Sequence, residues 1–199
     1  MQNEAEIRKQ LISNTIHLVA KGGFQEATTK ALTKCNEASQ SLKINEAYIY
    51  RLFGSKEGLY GAAFNTLDEA LYDTFWQKAE SLGDFRQNPK EKFYALFDAA
   101  WRFMLNNEEN CRYYVRFYHS VYFQGEVLLR HRKAFAQMVS RFSPLFKEEA
   151  DVFSVMHSVF MTMLNFAVRV YNGDLPDADY NRLHIFNVLY CMMMTYLKD

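Results

Sequence analysis

Two stretches near the C-terminus, 152–171 and 183–197, each carry apolar residues on two helical stripes instead of one. In the first, Val152, Val155, Val159, Met163, Phe166 and Val170 form one stripe, and Phe153, Met156, Phe160, Leu164, Ala167 and Tyr171 form another. In the second, the stripes are Leu183, Phe186, Tyr190, Met193 and Leu197, and Ile185, Leu189, Met192 and Tyr196. A surface helix needs only one apolar face. Two faces require burial on two sides, one against the chain's own core and one against something else. Pairing of these last two helices with their copies in a homodimer meets that requirement; a fully internal helix pair also meets it.

Composition narrows the class further. Eight glycines and three prolines leave few of the turns that a β-rich chain of 199 residues needs, so an all-α fold is expected. At 49% hydrophobic and 16% aromatic residues, the chain holds more apolar surface than a monomer usually hides, which again calls for an interface or an apolar pocket. Lys+Arg and Asp+Glu both number 23, so bulk charge announces no nucleic-acid partner. Cys35, Cys111 and Cys191 are far apart, with no CxxC, and read as free thiols in a reducing compartment. The polar, acidic N-terminus shows no signal peptide, and no apolar run approaches the roughly 20 residues of a spanning helix. A cytoplasmic protein without a membrane partner is expected.

Along the chain, helical spacing runs from Ile7 to about Lys21 and stops at Gly22-Gly23. A weaker segment covers about Thr33 to Leu42, and a short helix about Asn45 to Phe53 follows. A long helix from Lys56 to about Leu82 comes next, then helices from Pro89 to about Leu105 and from about Glu126 to Phe142. An aromatic segment, Cys111 to Phe123, lies between the latter two.

Three short helices within about fifty residues, the second and third joined by a tight turn, form a helix-turn-helix, whose third helix enters the DNA major groove. Here that third helix begins at Asn45, a good N-cap. Ile49, Leu52 and Phe53 fall on one side and face the core, while Ala47 and Arg51 point the opposite way with Tyr48 and Tyr50 on the flanks. A small residue allows close approach, Arg51 can reach a guanine edge or a phosphate, and the tyrosine hydroxyls can bond phosphates. An ordinary exposed helix face has the same pattern. Lys56, in the first turn of a helix capped by Ser55, adds its charge to free backbone N–H groups, which suits an anion such as a DNA phosphate; a solvated lysine with no partner fits the same position.

The run Ile49-Tyr50-Arg51-Leu52-Phe53-Gly54-Ser55-Lys56-Glu57-Gly58-Leu59, with Gly22-Gly23-Phe24 and Thr28-Thr29 before it, resembles the signature of TetR-family transcriptional regulators. The resemblance covers about residues 7–60. It implies double-stranded DNA as partner, contacts from Tyr48, Tyr50 and Lys56, and a phosphate contact from Thr29. Two features depart from the family pattern. The stretch between Thr29 and Tyr50 is longer than usual, and Lys43 stands where the turn glycine is expected; Lys43 could add a phosphate contact.

The same resemblance divides the chain into a DNA-binding domain, 1–56, and a helical effector-binding and dimerisation domain, 57–199. It implies a repressor released from a palindromic operator by a small-molecule effector. Candidate ligand contacts are the aromatic or polar residues on otherwise apolar helical faces: Phe97, Trp101, Tyr114, Tyr118, His157 and Asn165. Each also fits plain core packing. The abundant aromatics and nine methionines suit a hydrophobic or aromatic molecule. The basic run Arg130-His131-Arg132-Lys133 reads as a solvated helix face, with an anionic ligand or acidic partner as the lesser alternative. The five histidines show no metal-ligand spacing, and no P-loop, G-x-S-x-G or G-x-G-x-x-G is present, so neither a cofactor nor an enzyme is expected. The competing reading is a helical protein-interaction module without DNA-binding activity.

Overall fold

The computed structural model describes residues 2–198, and among them every regular element is a helix. The N-terminal helices are α1 (Gln2–Gly22), α2 (Thr29–Lys34), α3 (Glu37–Ser41) and α4 (Glu46–Phe53). They are followed by α5 (Lys56–Leu82), α6 (Pro89–Leu105), α7 (Glu108–Tyr118), α8 (Gly125–Phe142), α9 (Val152–Tyr171) and α10 (Asp179–Met194). The chain divides into two compact units, residues 1–69 with 112–129, and residues 70–111 with 130–199. Helices α5, α7 and α8 therefore contribute to both.

In the first unit, α1 buries Ile7, Leu11 and Val19 completely, and Leu32, Ile49, Leu59 and Phe64 join the same core. The single segment expected over 33–42 is two helices, and local capping explains the break. Thr28 caps α2 by accepting from Ala31 N at 3.1 Å, and Asn36 caps α3 by accepting from Ser39 N at 2.9 Å. A buried amide holds both pieces. Asn14, fully buried on α1, donates to Leu32 O at 2.6 Å and to Ser39 Oγ at 2.8 Å, and its Oδ1 accepts from Gln10 at 2.8 Å and Asn36 at 3.2 Å.

Aromatic rings fill the rest of this unit. Phe64 stacks on Phe117 at 4.8 Å, and Tyr113 donates its hydroxyl to Tyr60 O at 2.7 Å. Tyr60 in turn donates to Ala27 O at 3.0 Å, and Tyr114 donates to the buried Asp68 carboxylate at 2.7 Å. Gly61 of α5 lies where an added Cβ would come within 2.7 Å of a Val127 methyl on α8, so any side chain there would force Val127 to shift.

In the second unit α9 packs against α6 and α10. With 20 residues and a mean hydropathy of 1.3 over its most apolar window, α9 is long and apolar enough to cross a bilayer by length and composition, contrary to the sequence expectation. Here it buries Met156, Met163, Leu164 and Ala167 within its own unit. Of the two stripes on α10, Ile185, Phe186, Leu189 and Met193 are buried. That helix ends at Met194, short of the expected Leu197, because the chain turns extended there: Leu197 pairs with Phe146, and Lys147 N donates to Tyr196 O at 2.8 Å.

Candidate nucleic-acid interface and ligand cavity

The turn before α4 is what aims it. Lys43 adopts φ 51, the left-handed conformation that residues with a Cβ resist, and closes α3 by donating to Gln40 O at 3.0 Å. Lys43 thus takes a backbone conformation that favours glycine, and it does so with its side chain exposed. Asn45 then caps α4, its Oδ1 accepting from Ala47 N at 3.0 Å, and Gly54 at φ 76 closes the helix by donating to Tyr50 O at 2.9 Å.

With Ile49 fully buried, the opposite face of α4 is presented outward. Asn45, Ala47, Tyr48 and Arg51 line one concavity there. Asn45, Ala47 and Arg51 are exposed, Tyr48 is half-buried, and Tyr50 is 55% exposed, which is unusual for an aromatic ring on a folded helix. Arg51 holds its guanidinium 4.5 Å from the centre of the Tyr48 ring. Ser55 caps α5 by accepting from Gly58 N at 3.0 Å, which leaves Lys56 in the first turn, half-buried, with its ammonium 5.8 Å from the Tyr60 ring centre. Thr29 is the first residue of α2 and half-buried; the capping hydroxyl belongs to Thr28.

Sequence reasoning missed two residues of α1 that grip this helix. Arg8 donates to Leu52 O at 3.0 Å and sits 4.6 Å from the Phe53 ring centre, while Glu4 pairs with Arg51 at 2.7 Å. Their spacing of four, which places both on one helix face, was the available signal.

A cavity of about 80 Å³ opens within the second unit. Five helices supply its walls, with Phe75 from α5, Phe97 from α6, Phe135 from α8, Phe160 from α9 and Phe186 from α10. Met138, Met156, Met163 and Met193 complete much of the rest, Tyr72 is the only lining residue with a side-chain polar atom, and no charged residue takes part. Of the six expected ligand contacts, Phe97 lines this cavity. Trp101, 1% exposed, stacks behind Phe97 at 5.6 Å, and His157 lies behind Phe135 at 5.8 Å. Burial, with the neighbouring His131, holds His157 below the usual histidine range. Asn165 is exposed on α9, and Tyr114 and Tyr118 belong to the aromatic core of the first unit. Among the described residues, no group of three or more His, Cys, Asp or Glu side chains could hold a metal ion.

No family model matches the chain, and no curated protein matches it in sequence. Solved structures do match it in fold. A TetR family transcription regulator from Marinobacter aquaeolei VT8 superimposes with a TM-score of 0.76 at 18% identity, over 96% of this chain and 97% of that one. A protein provisionally assigned to the same family, from Shewanella sp. PV-4, gives 0.74 at 13% identity over 97% and 99%. The fatty acid degradation regulator FadR from Bacillus halodurans gives 0.66 at 14% identity over 91% and 96%. This all-helical chain has the fold of the TetR-family transcription regulators.

Proposed function

We propose that the protein is a TetR-type DNA-binding transcriptional regulator, acting in the cytoplasm as a homodimeric repressor that an apolar small molecule releases from a palindromic operator. The single observation that carries this reading is the outward face of α4, where Ala47, Tyr48, Tyr50 and Arg51 stand free of the core behind a turn that Lys43 closes. In this reading residues 1–56 read DNA, with Thr29, Lys43, Asn45 and Lys56 contributing phosphate or edge contacts, and residues 57–199 bind effector and partner. Dimerisation is assigned to α9 and α10, whose exposed Phe153, Leu183, Val188 and Met194 fit an apolar interface.

Two copies must present their reading helices about 34–36 Å apart to occupy successive major grooves. A ligand that prefers another spacing weakens DNA binding by its differential affinity for the two states. The cavity has no charged lining, which supports an uncharged, chain-like or aromatic ligand. The Bacillus halodurans relative in fold, described as a regulator of fatty acid degradation, is consistent with a hydrocarbon ligand. No catalytic step belongs to this reading.

Selection of bound sequences from random duplex DNA tests it. A two-fold symmetric enriched site is expected, with binding that Lys56→Ala and Tyr50→Phe weaken and that falls steeply with salt. A folded dimer that enriches nothing at low salt would instead support a helical protein-interaction module.

A further inference from the structure

Glu4 and Arg8 lie one turn apart on α1, and both reach across to the end of α4. Arg8 bonds the Leu52 carbonyl oxygen at 3.0 Å and packs on Phe53, which ties the two helices together. Glu4 does something different, because its partner is not backbone or core but Arg51, the one arginine on the outward face of α4. The Arg51 guanidinium is held on two sides, by the Glu4 carboxylate at 2.7 Å from Nη2 and by the Tyr48 ring 4.5 Å from its carbon. Both charged side chains are more than half exposed, at 57% for Arg51 and 51% for Glu4, so the pair adds little to stability.

We infer that Glu4 is a positioning residue that sets Arg51 for reading a base edge; the inference rests on the proposal that α4 reads DNA. A free arginine side chain samples many rotamers and loses that freedom on binding. Fixing the planar fork beforehand reduces this loss and fixes the direction of the donors that remain. The ion pair also changes what Arg51 contributes electrostatically. With its charge compensated by Glu4, Arg51 acts weakly as a counterion for phosphate, and its worth lies in directed donation to a guanine edge. Of the candidate DNA contacts, Lys43 and Lys56 are left as the cations that neutralise phosphate.

The test begins with the wild-type chain selecting from random duplex DNA, and continues with the best-bound duplex and its single base-pair replacements. Arg51→Ala should abolish the preference at one base pair in each half-site. Glu4→Ala should cut the preference at that same pair by about threefold, with other positions unchanged. Glu4→Gln, which keeps a hydrogen bond without the charge, should fall between. In the Arg51→Ala background Glu4→Ala should change no preference, and thermal midpoints should stay together throughout. A uniform rise in affinity for every duplex with preferences unchanged would overturn the inference, because Glu4 would then act only by repelling phosphate. An equal effect of Glu4→Ala with and without Arg51 would overturn it too. A wild-type chain that selects no sequence would sink the DNA-reading proposal itself, and this inference with it.

Discussion

Asn14 on α1 donates its side-chain amide to the hydroxyl of Ser39 on α3 at 2.8 Å, inside a core where both residues are fully buried. Through it, α1 registers a short helix that hydrophobic contacts alone hold poorly, since α3 buries only Ser39. Asn14→Ala leaves Leu32 O without this donor and Asn36 without its acceptor, so it should cost about 2–3 kcal/mol. Ser39→Ala should cost about 1 kcal/mol, because Asn14 keeps its other bonds. Urea unfolding of the two variants measures the order; a larger loss for Ser39→Ala would contradict the central role of Asn14.

Lys43 should show opposite effects on stability and on binding. Lys43→Gly relieves the left-handed backbone at φ 51 and should stabilise the chain by about 0.5–1 kcal/mol. The same change removes a proposed phosphate contact and should lower the slope of log affinity against log salt by about 0.9. Denaturation midpoints and salt titrations on one duplex separate the two. A destabilised Lys43→Gly chain would mean that the lysine stem makes packing contacts which outweigh the strain.

These two sites mark the boundary of what could be read beforehand. The caps at Asn45 and Ser55, the long α5 and the outward face of α4 follow from local chemistry, which nearby residues carry. Leu42-Lys43-Ile44 identifies the turn only because of what flanks it; lysine itself gives no left-handed signal. Asn36 caps α3 locally, but the amide of Asn14 that bonds it lies 22 residues earlier, and the grip of Glu4 on Arg51 spans 47 residues, so neither of these contacts has a local signature. In the second unit, stripe patterns indicated burial but not where five helices would leave a gap. Hence Phe97 lines the cavity, whereas Trp101, four residues on along the same helix, stands behind it.

Alkaline pH should loosen the first unit. Burial, with Tyr122 and Glu57 nearby, pushes the Tyr60 hydroxyl up to about 12, and burial raises Tyr113 well above its ordinary value. The folded chain therefore keeps protons that the unfolded chain releases near 10.0. Stability should be intact below about pH 10 and fall as pH climbs towards about 12. Tyr60→Phe should flatten this fall and cost about 1 kcal/mol at neutral pH through the lost bond to Ala27 O. Urea midpoints across this range are the measurement, and a Tyr60→Phe chain with an unchanged alkaline slope would refute the assignment to Tyr60.

Occupancy of the apolar cavity should be visible in Trp101, which stacks on the lining residue Phe97. With Trp76→Phe leaving Trp101 as the only tryptophan, naphthalene should change its emission saturably and raise the thermal midpoint. Ala100→Leu projects into the same space and should abolish the response while costing about 1–3 kcal/mol from overpacking. A response that survives Ala100→Leu would place the probe elsewhere.

The proposed interface is open to direct weighing. Leu183 on α10 is 50% exposed, so Leu183→Glu should fold normally and put a charge into the assembly. Light scattering at micromolar concentration should give twice 23.4 kDa for the wild-type chain and 23.4 kDa for the variant. A wild-type monomer would remove the case for a palindromic site.

The separation of α2 from α3 has a consequence for how such a head can vary over generations. Asn14 pins the chain before the turn at Leu32, Asn36 and Ser39, and the turn at Lys43 then sets where α4 begins. A residue gained between those points would pull at least one partner away from the single amide that holds all three. Length upstream of the turn is thus held from a distance by Asn14, and length downstream by the local caps at Asn45 and Ser55.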